Sequence, residues 1–310
     1  MTNERNAIQL ECDERTVGVG LRAGMLVVLV AVLVALGSPV VAAAPLDRAC
    51  GTALGRDEIE TIVELSDTDA LRGSSMERLE LAVENHRRIT EIFVRHRDRR
   101  GLFPLGLDAV ERAAVMPLQR SSGVFDDPEW AHRISLELLS RFLRNVHAEF
   151  TGAAVQAQWA RYFELTRQCE LPPAQVAMAG YNAHLSVDLS YSVAAVRGTP
   201  ANAADYFRIV DVIAQQGNLI VAETERVYGG NLGPLWRFYF LGEGLDAVFG
   251  AGVGSGALLR LADAGANVVI FANGLALQDP VLAPAAAAEI DVLWRAADAA
   301  FGVLAGIGGL

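Results

Sequence analysis

The chain predicts an all-α fold, a multi-helix bundle of roughly eight to ten helices. Three observations carry that expectation. Apolar residues recur at helical spacing, as in Ile134, Leu138, Leu139, Phe142 and Val146. Helix-start chemistry recurs with them: Ser74-x-x-Glu77 is a capping box, and Asp127-Pro128-Glu129 supplies an N-cap, a first-turn proline and a first-turn acid. Finally, no period-2 strand with hairpin turns and no sustained strand–helix alternation is found. Val268–Phe271 is the best strand candidate, but it lies in an Ala-rich helical stretch. No solenoid-length repeat stands out.

The N-terminus reads as an export signal. Met25–Leu36 is a short apolar run, and the small residues of Val40–Ala44 follow the Gly37-Ser38-Pro39 break, which suits cleavage after Ala43. An uncleaved anchor over residues 24–43 is the alternative, because that segment is long enough to cross a bilayer once. Residues 1–43 are therefore expected to be a signal peptide or anchor, and residues 44–310 a single helical domain with a Gly-rich junction near 229–256. Export fits the cysteines. Cys12 leaves with the signal, and Cys50 and Cys169 remain to form one disulfide in an oxidising compartment.

Within the domain, the first capping box opens a helix through Leu79, Val83, Ile89, Ile92 and Phe93. Asp127 opens the next, to about Phe150, and Thr151 is placed to cap a helix carrying Trp159, Phe163 and Leu165. Pro172-Pro173 starts a helix to about Val196, and Thr199-Pro200 another towards Tyr228. Beyond the glycines at 229–233, Leu235–Phe249 is aromatic and helical, with Trp236, Phe238, Tyr239, Phe240 and Phe249. Gly250–Gly256 lacks both the Lys-Ser/Thr of a P-loop and a Gly-x-Ser-x-Gly frame, so it reads as an interhelical loop. Two apolar helices, about Ala257–Leu277 and Pro284–Leu304, complete the chain.

Charge narrows the partners. The whole chain carries −11, and residues 44–310 hold 23 basic against 33 acidic residues, or −10. Nucleic-acid phosphates would be repelled, so nucleic acid is not an expected partner. Every basic residue is Arg. An apolar ligand or an envelope component suits the apolar C-terminal third better.

The helix from Pro173 is apolar nearly all round and should be buried. Tyr181, His184, Asp188 and Tyr191 interrupt it at spacings of three, four and three, which on an α-helix places all four on one face. Each must find a partner. In one reading His184 and Asp188 bond to each other or to the next helix and set packing register. In the other they ligate a divalent metal, or form a carboxylate-oriented general base. Further ligands would then come from His147 and Glu149, His96 and Asp98, or Glu223. Arg95–Arg100 reads as a solvated helix end with an anion contact as its alternative, and His86 and His132, set among charges, read as exposed.

The run Pro173-x-Gln175-x-Ala177-x-Ala179-Gly180-x-Asn182-Ala183-His184-x-x-x-Asp188-Leu189 resembles the signature of a bacterial family, domain of unknown function 5995. Trp159-x-x-x-Phe163 and Phe125-Asp126-Asp127-Pro128 resemble it too, and the likeness spans residues 90–230. Family sequences commonly read Asn-Ala-His-Ile-Asn where this chain has Leu185-Ser186 after the histidine. The resemblance implies a helical domain and points to Asn182, His184 and Asp188; it implies no activity. Two functions are expected from these observations: an exported or envelope-associated protein that binds an apolar ligand or partner, or a metal-dependent hydrolase built on His184 and Asp188.

Overall fold

Helix starts occur where the capping chemistry puts them. In the computed structural model, which describes residues 46–233 and 265–306, Ser74 accepts from the backbone of Glu77 and the Glu77 carboxylate returns to Ser74. Asp127 likewise accepts from Trp130 N–H at 2.9 Å. The α-helical segments are α1 (Arg56–Ser66), α2 (Ser75–His96), α3 (Leu102–Val110), α4 (Met116–Gln119), α5 (Pro128–Thr151), α6 (Ala157–Thr166), α7 (Pro173–Asn182), α8 (Leu189–Ala195), α9 (Ala203–Ala214), α10 (Gly217–Tyr228), α11 (Ala266–Ala276) and α12 (Ala283–Gly306). No strand occurs among the described residues; Val268–Phe271 lies inside α11.

Two joints carry more consequence than any cap. α3 runs into α4 through a wide π-helical turn, Glu111–Val115, and α7 runs into α8 through another, Ala183–Asp188. At the end of each, a backbone N–H returns five residues back, Met116 to Glu111 and Leu189 to His184. An extra residue in a turn rotates everything after it by about 100° relative to a continuous α-helix.

The α7–α8 rod is enclosed as its composition requires. α3, α6 and α12 pack on α7, while α5 and α11 pack on α8. Phe103 of α3 is the aromatic hub, with Phe142, Trp159, Tyr181 and the His184 ring at centroid distances of 5.0, 5.2, 5.1 and 5.0 Å. A second buried cluster joins Trp130 and Ile134 of α5 to Leu189, Val193, Tyr206, Ile209 and Phe271. Gly106 of α3 is small because a Cβ there would run into the Tyr181 hydroxyl and Ile220.

Several sequence expectations change. Thr151 ends α5, giving its hydroxyl to His147 O at 2.7 Å, and α6 starts at Ala157 without a side-chain cap. The stretch from Thr199 to Tyr228 divides into a short 3-10 turn, α9 and α10, with the break at Gln215-Gln216. Of Arg95–Arg100, Arg95 and Arg97 are exposed at the end of α2, but Asp98, Arg99 and Arg100 are buried. Asp98 and Arg100 are fully buried and paired, with Arg100 Nη2 2.6 Å from Asp98 Oδ2 and Nε 2.9 Å from Oδ1. Asp98 also accepts from Ala49 N–H, and Arg100 donates to Leu46 O at 2.8 Å. Arg99 caps the carbonyls of Gln168 and Leu171. These charges bury because the incoming chain needs its polar backbone groups satisfied. His86 is also buried, as shown below.

The predicted disulfide is present: Cys50 and Cys169 are bonded across 119 residues. It clasps the same N-terminal segment that Asp98 and Arg100 hold. Among the described residues no helix is long and apolar enough to cross a membrane. The signal or anchor at 1–43, the aromatic cluster Trp236–Phe249 and the glycines at 250–256 lie outside the described residues.

Replacing both Cys50 and Cys169 by serine should lower stability by about 2–5 kcal/mol, read from urea unfolding. A loss below about 0.5 kcal/mol would show that the Asp98–Arg100 node holds this segment without the bridge.

Candidate functional site

The polar stripe on the α7–α8 rod does not stay on one face. Ala183–Asp188 is a wide turn, so residues after it are rotated out of α-helical register with those before it. Tyr181 and His184 face α3 and an apolar slot, Asp188 faces α6, and Tyr191 lines a separate polar cleft with Arg141, Gln158 and Trp294. The α-helical spacing rule fails here for that reason alone.

Asp188 is a structural carboxylate. Its Oδ1 accepts from Gln158 Nε2 at 2.9 Å and its Oδ2 from the Trp159 indole N–H at 2.7 Å. Burial pushes its carboxyl up to about 6, against the pull of the Trp159 and Gln158 donors. Asn182 gives its amide to Trp294 O at 2.8 Å and accepts from Ser186 Oγ at 2.8 Å, so it ties α7 to α12. The hydroxyl in place of the asparagine common in the family therefore serves Asn182. Tyr191 is half-buried, with the Arg141 guanidinium 5.7 Å from its ring centre. Tyr181 points its hydroxyl at Phe103 O, 3.5 Å away.

His184 is different. It is 4% exposed, its ring packed at an angle against Phe103 and edge-on to Trp159, and its imidazole makes no hydrogen bond among the described residues; Nδ1 is wholly buried. Burial, helped by the nearby His86, pushes the imidazole down to about 3, so it is neutral across the physiological range. His184 lines a cavity of about 80 Å³ whose wall includes Leu138, Leu189, Ile209, Val210 and Ile213. Residues from both main core clusters meet there, Val110 and Tyr181 from one, Ile134 and Ile209 from the other.

A second buried pair lies near this wall. His86 of α2 places Nδ1 2.7 Å from Glu111 Oε2, and its other nitrogen has no partner among the described residues. Burial raises the Glu111 carboxyl, opposed by His86. Surrounding charges gave the expectation of an exposed His86. Instead the helix turns that residue inward onto Phe142, and charged neighbours occupy the outer face. Glu111 went unnoticed because a lone glutamate carries no motif. It and His184 each stand on one of the two wide turns, a feature frequent at functional sites.

The other potential ligands are engaged elsewhere. His147 bonds Val63 O at 3.0 Å, Glu149 pairs with Arg167, His96 with Glu58, and Glu223 with Arg226 at the surface. His132 reaches Gln119 O. Among the described residues no three His, Cys, Asp or Glu come together in a metal-holding group. His184 and Asp188 therefore stand without a third ligand beside them.

The comparisons agree with the motif. A family model described as "Family of unknown function (DUF5995)" matches residues 80–248, more than half of the chain. The chain belongs to that family. The match spans α3–α10 and both wide turns, so this DUF5995 protein carries the slot largely within the family region. No curated protein and no solved structure matches it.

Opposed pH slopes should mark the two motif residues. The Asp188 value lies above its ordinary 3.8, so its contribution to stability is fully present below about pH 4 and is lost as pH rises through about 6. The His184 value lies below its ordinary 6.5, so its contribution is fully present above about pH 6.5 and is lost as pH falls towards about 3. Relative to wild type, Asp188→Asn should therefore gain stability with rising pH between about 4 and 6.5, and His184→Leu should lose it. Urea unfolding at a series of pH values decides this; variant curves parallel to wild type would contradict it.

Proposed function

We propose that this DUF5995 protein is an exported or envelope-associated protein that binds a small apolar ligand in the slot beside His184. The observation that carries the reading is the slot itself: among the described residues eleven of its sixteen wall residues are purely apolar, and a buried imidazole that makes no hydrogen bond among the described residues sits among them. A largely apolar pocket with few polar groups is the usual form of a small-molecule site. At about 80 Å³ it is smaller than the ~150 Å³ apolar cavity that holds benzene, so it suits a narrow guest, such as a short alkyl segment. Its place on the seam between two core clusters supports the same reading, since side chains there can part without breaking either cluster.

Export is supported by the apolar run Met25–Leu36, the small residues that follow, and a disulfide of the kind that persists in oxidising compartments.

Xenon under pressure should occupy the slot, seen by crystallography or by methyl shifts at Leu138 and Ile213, and Leu138→Trp should exclude it. A slot that stays empty of xenon would count against ligand binding. Expressed in an exporting bacterial host, the full chain should appear outside the cytoplasm with Ala44 as its first residue. Retention of the intact chain in the cytosol would remove the export half of the reading.

A further inference from the structure

The slot has a chemistry as well as a shape. None of its wall residues among the described residues is charged, so a carboxylate or ammonium end would meet no counter-charge from them and would lose its hydration. Its few polar groups are mostly committed. The Ser135 hydroxyl accepts from Gln119 Nε2 at 2.9 Å, and the Tyr181 hydroxyl is turned to Phe103 O. Asn267 is half-buried on the wall, whereas His184 is almost fully enclosed. His184 combines burial, a place on the wall and an imidazole that makes no hydrogen bond among the described residues; the buried Tyr206 hydroxyl is a further polar group on the same wall. A neutral imidazole offers one donor and one acceptor, and so can meet either a carbonyl or a hydroxyl.

We propose that the slot selects an uncharged amphipathic guest, an apolar body ending in one hydroxyl or carbonyl group that hydrogen-bonds His184. This rests on the reading of the slot as a ligand site. It replaces "apolar ligand" with a narrower class: short alcohols, ketones or esters, and not fatty acids or amines. The neutral state of His184 fits the same choice, because it cannot supply a counter-charge to a carboxylate near pH 7.

The test uses the full mature chain, isotope-labelled on methyl groups, titrated at pH 7 with four probes matched in heavy-atom count: 1-pentanol, n-hexane, butanoate and pentylammonium. Shifts at the methyls of Leu138, Val210 and Ile213 report entry into the slot. 1-Pentanol should bind roughly tenfold more tightly than n-hexane, the worth of one buried hydrogen bond, and the two charged probes should not bind measurably. In His184→Leu the preference for 1-pentanol over n-hexane should vanish while n-hexane still binds. Equal binding of 1-pentanol and n-hexane by wild type, or binding of butanoate as tight as the alcohol, would overturn the proposal and leave the apolar site standing. Silence of the slot methyls with all four probes, n-hexane included, would remove the site itself. Selectivity in wild type decides the matter even if the variant fails to fold.

Discussion

Enclosure of the α7–α8 rod is the constraint on which the rest depends. A helix apolar on every side can be buried on every side, and this one is, by α3, α5, α6, α11 and α12. Each polar side chain on it must then find its partner inside the protein, because an unsatisfied buried group costs about 1–3 kcal/mol. Most do. Asn182 bonds Trp294 O, Ser186 bonds Asn182, Asp188 accepts from Gln158 and Trp159, and Ser190 and Ser192 return to carbonyls four residues earlier. These bonds tie the rod to α6 and α12 and leave the His184 ring as the exception among the described residues.

The wide turn makes the exception. Had residues 173–195 been one continuous α-helix, His184 and Asp188 would share a face, and the aspartate could have oriented the imidazole. The added residue carries Asp188 round to the Trp159 indole instead and leaves His184 among aromatic rings. A carboxylate near pH 7 and a neutral histidine are thereby held apart within one short segment. Each then answers to its own surroundings, with burial moving the aspartate up and the histidine down.

Sequence periodicity recovered the helical class, capping residues the starts of α2 and α5, and cysteine count with the export signal the pairing of Cys50 with Cys169. Periodicity also singled out the polar residues of the α7–α8 rod and the family resemblance added Asn182; Asn182, His184 and Asp188 are all buried. The arrangement of the stripe was illegible because an α-helical period was assumed, and nothing in Ala183–Asp188 announces a wide turn. Buried charge was illegible for a similar reason. Arg99 and Arg100 resemble any basic helix end until the N-terminal segment folds back over them, a contact about fifty residues distant in sequence. Wall residues such as Ile209 and Val210 read as core, which they are, but periodicity says nothing about whether core residues close on one another or leave a gap between them.

That gap and the lone imidazole bear on each other. Phenylalanine or leucine at position 184 would fill the same aromatic surroundings without an unpartnered nitrogen, and whole-domain stability is only about 5–15 kcal/mol. Leaving His184 unpartnered therefore uses a sizeable share of it. The packing around it offers no offset: Phe103 and Trp159 meet the ring without accepting a hydrogen bond in return. The same reasoning applies to His86, whose Nδ1 is paired with Glu111 on the other wide turn while its Nε2 has no hydrogen-bond partner among the described residues. Two buried imidazoles with unmet hydrogen-bonding capacity, within electrostatic reach of one another, make a poor solution to the problem of packing a core. The proposed guest would answer that problem, because a small polar group that bonds His184 regains what folding left unmet.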